Sequence, residues 1–156
     1  MVSYAGHQLE LSIVNYLQSL TTVSGSSLVS SSLLFVTGYD NVDLDNTIGN
    51  GTFGGICKIS VERDIEVPIP GTRNYEFTTN VQIIESAADT SGSMLGVNAM
   101  NVAIQFGDPK ISAQNFTNPA YDISCWYVQY VDRQQLESGD LLNSQFTYTI
   151  TGALIN

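Results

Sequence analysis

The alternation of apolar and polar positions changes period along this chain, and each change marks an element. Tyr75, Phe77, Thr79, Val81 and Ile83 alternate with Glu76, Thr78, Asn80 and Gln82, the period-two pattern of a strand buried on one face. Small and polar residues follow from Glu85 to Gly92. The period then becomes helical, with Leu95, Ala99, Val102, Ala103 and Phe106 on one stripe. Ser91 or Ser93 can cap the first turn, and Gly107 followed by Pro109 supplies a stop, so a helix is predicted over 93–106. A helix with one apolar stripe after a strand with one apolar face is expected to lie on the sheet.

The same reading extends in both directions. Leu9, Ile13, Leu17 and Leu20 repeat at helical spacing with Tyr16 beside them, which predicts a helix over 8–20. Gln8, Glu10, Ser12, Asn15, Gln18 and Ser19 fall off that stripe. A strand is expected to end near Val36 or Thr37, followed by a long loop over 38–55 rich in Gly, Asn and Asp. Cys57, Ile59 and Val61 share one face of a strand over 56–61, and Ile65, Val67 and Ile69 alternate again before Pro70-Gly71 turns the chain. After a loop over 107–120, Ile123, Cys125, Tyr127 and Val131 alternate with Trp126, Val128 and Tyr130 along one long strand. Phe146, Tyr148, Ile150, Gly152 and Leu154 alternate with Thr147, Thr149 and Thr151 in the last. This order predicts an α+β fold, a mostly antiparallel sheet with two helices packed on one face.

The length of 156 residues fits a single domain over 1–156, large enough for a core without disulfide staples. Only 13% of residues are charged, about half the usual share, so the polar surface must be mostly Ser, Thr, Asn and Gln. With Lys and Arg totalling 5 against 15 Asp and Glu, the net charge is −10. Binding nucleic acid requires cations that displace counterions from phosphates, so specific or tight binding is not expected. An acidic wall past which DNA slides without sticking is compatible. The opening residues lack a basic region ahead of an apolar run, and no run reaches the length of a membrane span, so neither export nor a membrane partner is expected. Cys57 and Cys125 read as two buried thiols within strands.

Candidate chemistry is sparse. Gly49-Asn50-Gly51-Thr52-Phe53-Gly54 satisfies G-x-G-x-x-G, but a strand rather than a helix is expected after it, against the context a phosphate cradle needs. Asp40, Asp43 and Asp45 cluster in the same loop without the spacing or the bidentate Glu of a calcium loop. They read as solvated carboxylates or as an acidic loop facing a lumen. His7 is the sole histidine and no motif surrounds any Ser, which disfavours both a metal site and a Ser–His–Asp site. No catalytic, cofactor-binding or metal-binding residues are expected. Trp126, Tyr127 and Tyr130 are either a subunit interface or, as a less favoured alternative, a platform on which a sugar or peptide could stack.

Four stretches together resemble the tail-terminator and tail-completion (neck) proteins of tailed bacteriophages. They are Leu9 to Leu17, Ile56 to Val61, the block from Asn74 through Ile84 to Asp89, and Phe146 to Leu154. The resemblance is one of element order and texture over most of the length; the 38–55 and 107–120 loops depart from it. It implies a structural virion protein, not an enzyme, assembled in the host cytoplasm into a homo-oligomeric ring, usually a hexamer. Such a ring caps the tail tube, meets the tube protein on one side and the head connector on the other, and lets DNA pass. Another tail or head-completion role, such as tail tube or connector, is the alternative. Six copies would carry roughly −60, so the ring would repel DNA rather than bind it.

Overall fold

The structure, a computed structural model, describes residues 4–18, 33–38, 55–69, 72–86, 116–138 and 141–155. The elements are a helix α1 (Tyr4–Gln18) and the strands β1 (Leu33–Thr37), β2 (Gly55–Ile69), β3 (Thr72–Ser86), β4 (Ile123–Ser138) and β5 (Leu141–Leu154). A 3-10 turn at Pro119–Tyr121 precedes β4. The strands form one sheet in the order β1-β2-β3-β5-β4. Only the β1–β2 pair is parallel; the other pairs are antiparallel.

The helical layer differs from expectation. Among the described residues it is one α-helix and the 3-10 turn, which overturns the reading of two helices packed on one face. The segment predicted as the second helix, 93–106, lies outside the described residues, as do Leu20 and most of the 38–55 and 107–120 loops. A stripe of five apolar residues supplies a motive for burial but leaves the choice of backbone to the tertiary contacts.

Ala5, Leu9, Ile13 and Leu17 recur every four residues and are all buried, so α1 lays a continuous apolar stripe on the sheet. Each of the three aliphatic side chains contributes roughly 1.5–3 kcal/mol gross on burial. The stripe meets Cys57, Ile59 and Val61 of β2, Phe77, Val81 and Ile83 of β3, Phe146, Tyr148 and Ile150 of β5, and Ile123, Cys125 and Val128 of β4 in one core. Cross-strand register places these on a single face, for instance Ile59↔Val81↔Phe146. The other face carries Thr78, Thr147, Thr149 and Thr151, with Thr147 Oγ1 donating to Asn80 Oδ1 at 2.9 Å.

The two strand segments read separately at 56–61 and 65–69 are one strand. A bulge between Val61 and Arg63 inserts Glu62, after which Arg63↔Thr78 resumes the ladder. The inserted residue reverses parity, so Ile65 lies on the face opposite Cys57, Ile59 and Val61 although the apolar positions keep one period in the sequence. The charged run Glu62-Arg63-Asp64 at the bulge makes that sequence look like two short strands.

Candidate assembly interface

β4 is an edge strand, and its sequence breaks the period of two twice. The register jumps from Cys125↔Gly152 to Tyr127↔Thr151, and again from Tyr130↔Tyr148 to Asp132↔Thr147. The residues left over are Trp126 and Val131. The first bulge lets Ile123, Cys125, Val128 and Tyr130 share the helix-facing side, while Tyr127 turns to the opposite one; the second reverses the parity again after Tyr130. The expected alternation of Ile123, Cys125, Tyr127 and Val131 against Trp126, Val128 and Tyr130 is thereby corrected: each extra residue reverses the parity of the positions after it.

The result is an outer edge dressed with large side chains. Trp126, Tyr127, Tyr130 and Val131 are each 46–53% exposed within five residues of one another. Tyr130 leans edge-on over the Tyr148 ring, with centroids 5.9 Å apart. Burial and the neighbouring Tyr130 push the Tyr148 hydroxyl well above its ordinary pKa, so it stays neutral. Arg133 stacks its guanidinium 5.5 Å from the centre of the Phe146 ring. The three aromatic residues expected as an interface thus lie close together in β4, but the register puts Tyr127 and Tyr130 on opposite faces, with Trp126 the unpaired residue of the first bulge. Asp40, Asp43 and Asp45, expected as an acidic loop, lie outside the described residues.

The start of the same edge is closed by the chain itself. Asn118 and Ile123 exchange backbone hydrogen bonds of 2.9 and 3.3 Å. Thr117 Oγ1 accepts from the Cys125 N–H at 2.9 Å and donates to the Cys125 carbonyl at 3.2 Å. From Trp126 onward no described residue pairs with the outer side of β4. On the partner side Gly152 lets the strands approach: a Cβ there would lie 2.6 Å from the Ser124 carbonyl and 3.2 Å from Cys125 Sγ.

The polar residue that sequence reasoning misplaced is Glu10. It falls off the apolar stripe, yet it is 0% exposed. Its Oε2 accepts from the Val61 N–H at 2.8 Å, at the mouth of the β2 bulge, and its carboxylate also accepts from Gly38 N–H. His7 Nδ1 lies 3.2 Å from Oε1. Burial raises the Glu10 pKa, opposed by these hydrogen bonds. Ser12, likewise buried, donates to the Phe116 carbonyl. No local signal marks either residue, because Glu10 and Val61 are 51 positions apart and Ser12 and Phe116 are 104 apart.

Among the described residues no group of three His, Cys, Asp or Glu side chains could hold a metal ion. Both cysteines are buried free thiols, Cys125 with its pKa pushed up to about 12 by burial and Cys57 higher still. No protein-family model and no curated protein matches this chain. Solved structures do: the chain is similar to one described as "Virion of native gene transfer agent (GTA) particle", with a TM-score of 0.58 at 12% sequence identity, over 97% of this chain and 99% of that one. Across nearly the whole of both chains, this protein shares its fold with a protein of that virion.

Proposed function

We propose that the chain is a structural virion protein that assembles with copies of itself into a ring at the head–tail neck. There it terminates the tail tube and lets DNA pass, with the tube protein on one side and the head connector on the other. The observation that carries this reading is the end-to-end fold similarity to a virion chain. The element order that resembles tail terminators supports the finer placement. The exposed aromatic residues of β4 support a surface that other subunits cover, since single-chain proteins rarely leave such a patch to water. A net charge of −10 per copy suits a passage that DNA crosses without adhering.

Light scattering on the purified protein, with electron microscopy of the same sample, tests the proposal. Closed rings of fixed mass are expected. Open tubes would move the role to the tail tube, and a monomer at every concentration would overturn assembly by this chain alone.

A further inference from the structure

Among the described residues the two edges of the sheet are left open at the same height. On one side β1 pairs with β2 only from Gly55 to Ile59. β1 is Leu33–Thr37, and Gly38 after it sits in a space where even a Cβ would lie 3.0 Å from Glu10 Oε2 and from Ser60. From Ser60 onward, no strand among the described residues pairs with the outer edge of β2, and Glu62, Arg63, Ile65 and Glu66 there are exposed. On the other side, β4 is closed by Thr117 and Asn118 as far as Cys125, and from Trp126 no strand among the described residues pairs with it.

Tracing the register across the sheet brings these openings into line. Ile65 shares a row with Glu76, Thr151 and Tyr127; Arg63 with Thr78, Thr149 and Gln129; Ser60 with Asn80, Thr147 and Asp132. Each edge also presents exposed apolar side chains in this window, Ile65 on β2 and Trp126, Tyr127, Tyr130 and Val131 on β4.

Resting on the assembly reading above, we infer that the occupant of each edge is the opposite edge of a second copy: the open part of β4, Trp126 to Asp132, pairs with the open part of β2, Ser60 to Ile65, of the next. β2 and β4 run in opposite directions within one chain, so a neighbour in the same orientation supplies an antiparallel partner. The two edges differ, so the contact is head-to-tail and propagates round a ring. In the aligned rows no like charges oppose: Arg63 faces Gln129, Asp64 faces Val128 and Asp132 faces Ser60. The contact buries the backbone that an exposed edge would otherwise offer to wrong partners.

Paired cysteines test the contact. Arg63→Cys is combined in turn with Gln129→Cys and with Tyr127→Cys, which covers the aligned register and a shift of two residues. Directly opposed antiparallel residues lie within disulfide reach, whereas the natural thiols are buried. The double variants are first confirmed as folded by circular dichroism. On mild oxidation, at least one is expected to give a ladder of covalent oligomers, dissolved by reductant, with each single variant remaining uncrosslinked. Oligomers of wild-type size without a ladder in either pair would overturn this contact while leaving assembly intact. Efficient dimerisation of Gln129→Cys alone would overturn it in favour of β4 meeting β4. A protein that stays monomeric throughout would instead remove the assembly reading on which the contact rests.

Discussion

Glu10 is the residue on which several parts of the fold converge. One carboxylate ties α1 to the end of β1 through Gly38 and to the bulge of β2 through Val61, with His7 beside it. Burial raises its pKa in the folded chain above the unfolded value. The folded state thus holds the Glu10 proton more tightly than the unfolded state. This contribution to stability is fully present below the unfolded pKa and is lost as pH rises through the folded one. Glu10→Gln keeps an acceptor for Val61 N–H and removes the titration. Its stability relative to wild type, from urea melts at a series of pH values, is expected to increase as pH rises through that window. Glu10→Ala leaves two buried N–H groups without their acceptor and is expected to cost about 1–3 kcal/mol at neutral pH. A wild-type and a Glu10→Gln curve that stay parallel at all pH values would contradict this account. Nothing local in the sequence distinguishes Glu10 from Gln8 or Asn15, which also fall off the apolar stripe. Its role is created by Val61 and Gly38, which only folding brings near.

At the scale of elements, the strands that keep a strict period were legible and those that change parity were not. β3 and β5 alternate without interruption, and the expected faces of Phe77, Val81 and Ile83 and of Phe146, Tyr148 and Ile150 are those observed. α1 was legible from four residues at helical spacing, although it begins at Tyr4 rather than at residue 8. β2 and β4 were misread at their bulges, because a bulge is a choice of pairing and the partner strand's register is absent from a local pattern. The aromatic cluster of the candidate interface was visible in the sequence, whereas the directions of its members depended on those bulges. Deleting Trp126 tests this directly. Without the extra residue Tyr127 follows Cys125 directly, the ladder becomes regular, and Ile123, Cys125, Val128 and Tyr130 keep their common face. Deleting Thr149 from the bulge-free β5 instead forces Phe146 and Tyr148, or Ile150, off the core face. A loss of at least about 2 kcal/mol or of cooperative unfolding is expected there but not for the Trp126 deletion. Trp126→Ser, which keeps the backbone count, serves as the control and is expected to unfold near wild type. A Trp126 deletion that destabilises as much as the Thr149 deletion would refute the bulge account.

For the whole molecule, the opposing quantities are an apolar contact and a large like charge. Copies carrying −10 each repel one another over the Debye length, about 30 Å at 10 mM salt and about 10 Å at 100 mM. The edges proposed to meet are dressed mainly with Trp126, Tyr127, Tyr130, Val131 and Ile65, whose burial salt does not weaken. The oligomeric fraction at fixed protein concentration is therefore expected to rise as salt is added over this range. A fall, read by sedimentation or light scattering, would mean that ion pairs dominate the contact. The bulges also carry a consequence for kinship. The 16 residues of β4 span the 14 of β5, and β2 spends one residue more than the stretch of β3 it faces. A relative that dispenses with one bulge would differ by a single-residue gap at Glu62, Trp126 or Val131 while keeping every buried side chain in place. Common ancestry in such a lineage would persist in the pairing of strands after letter-by-letter correspondence had faded.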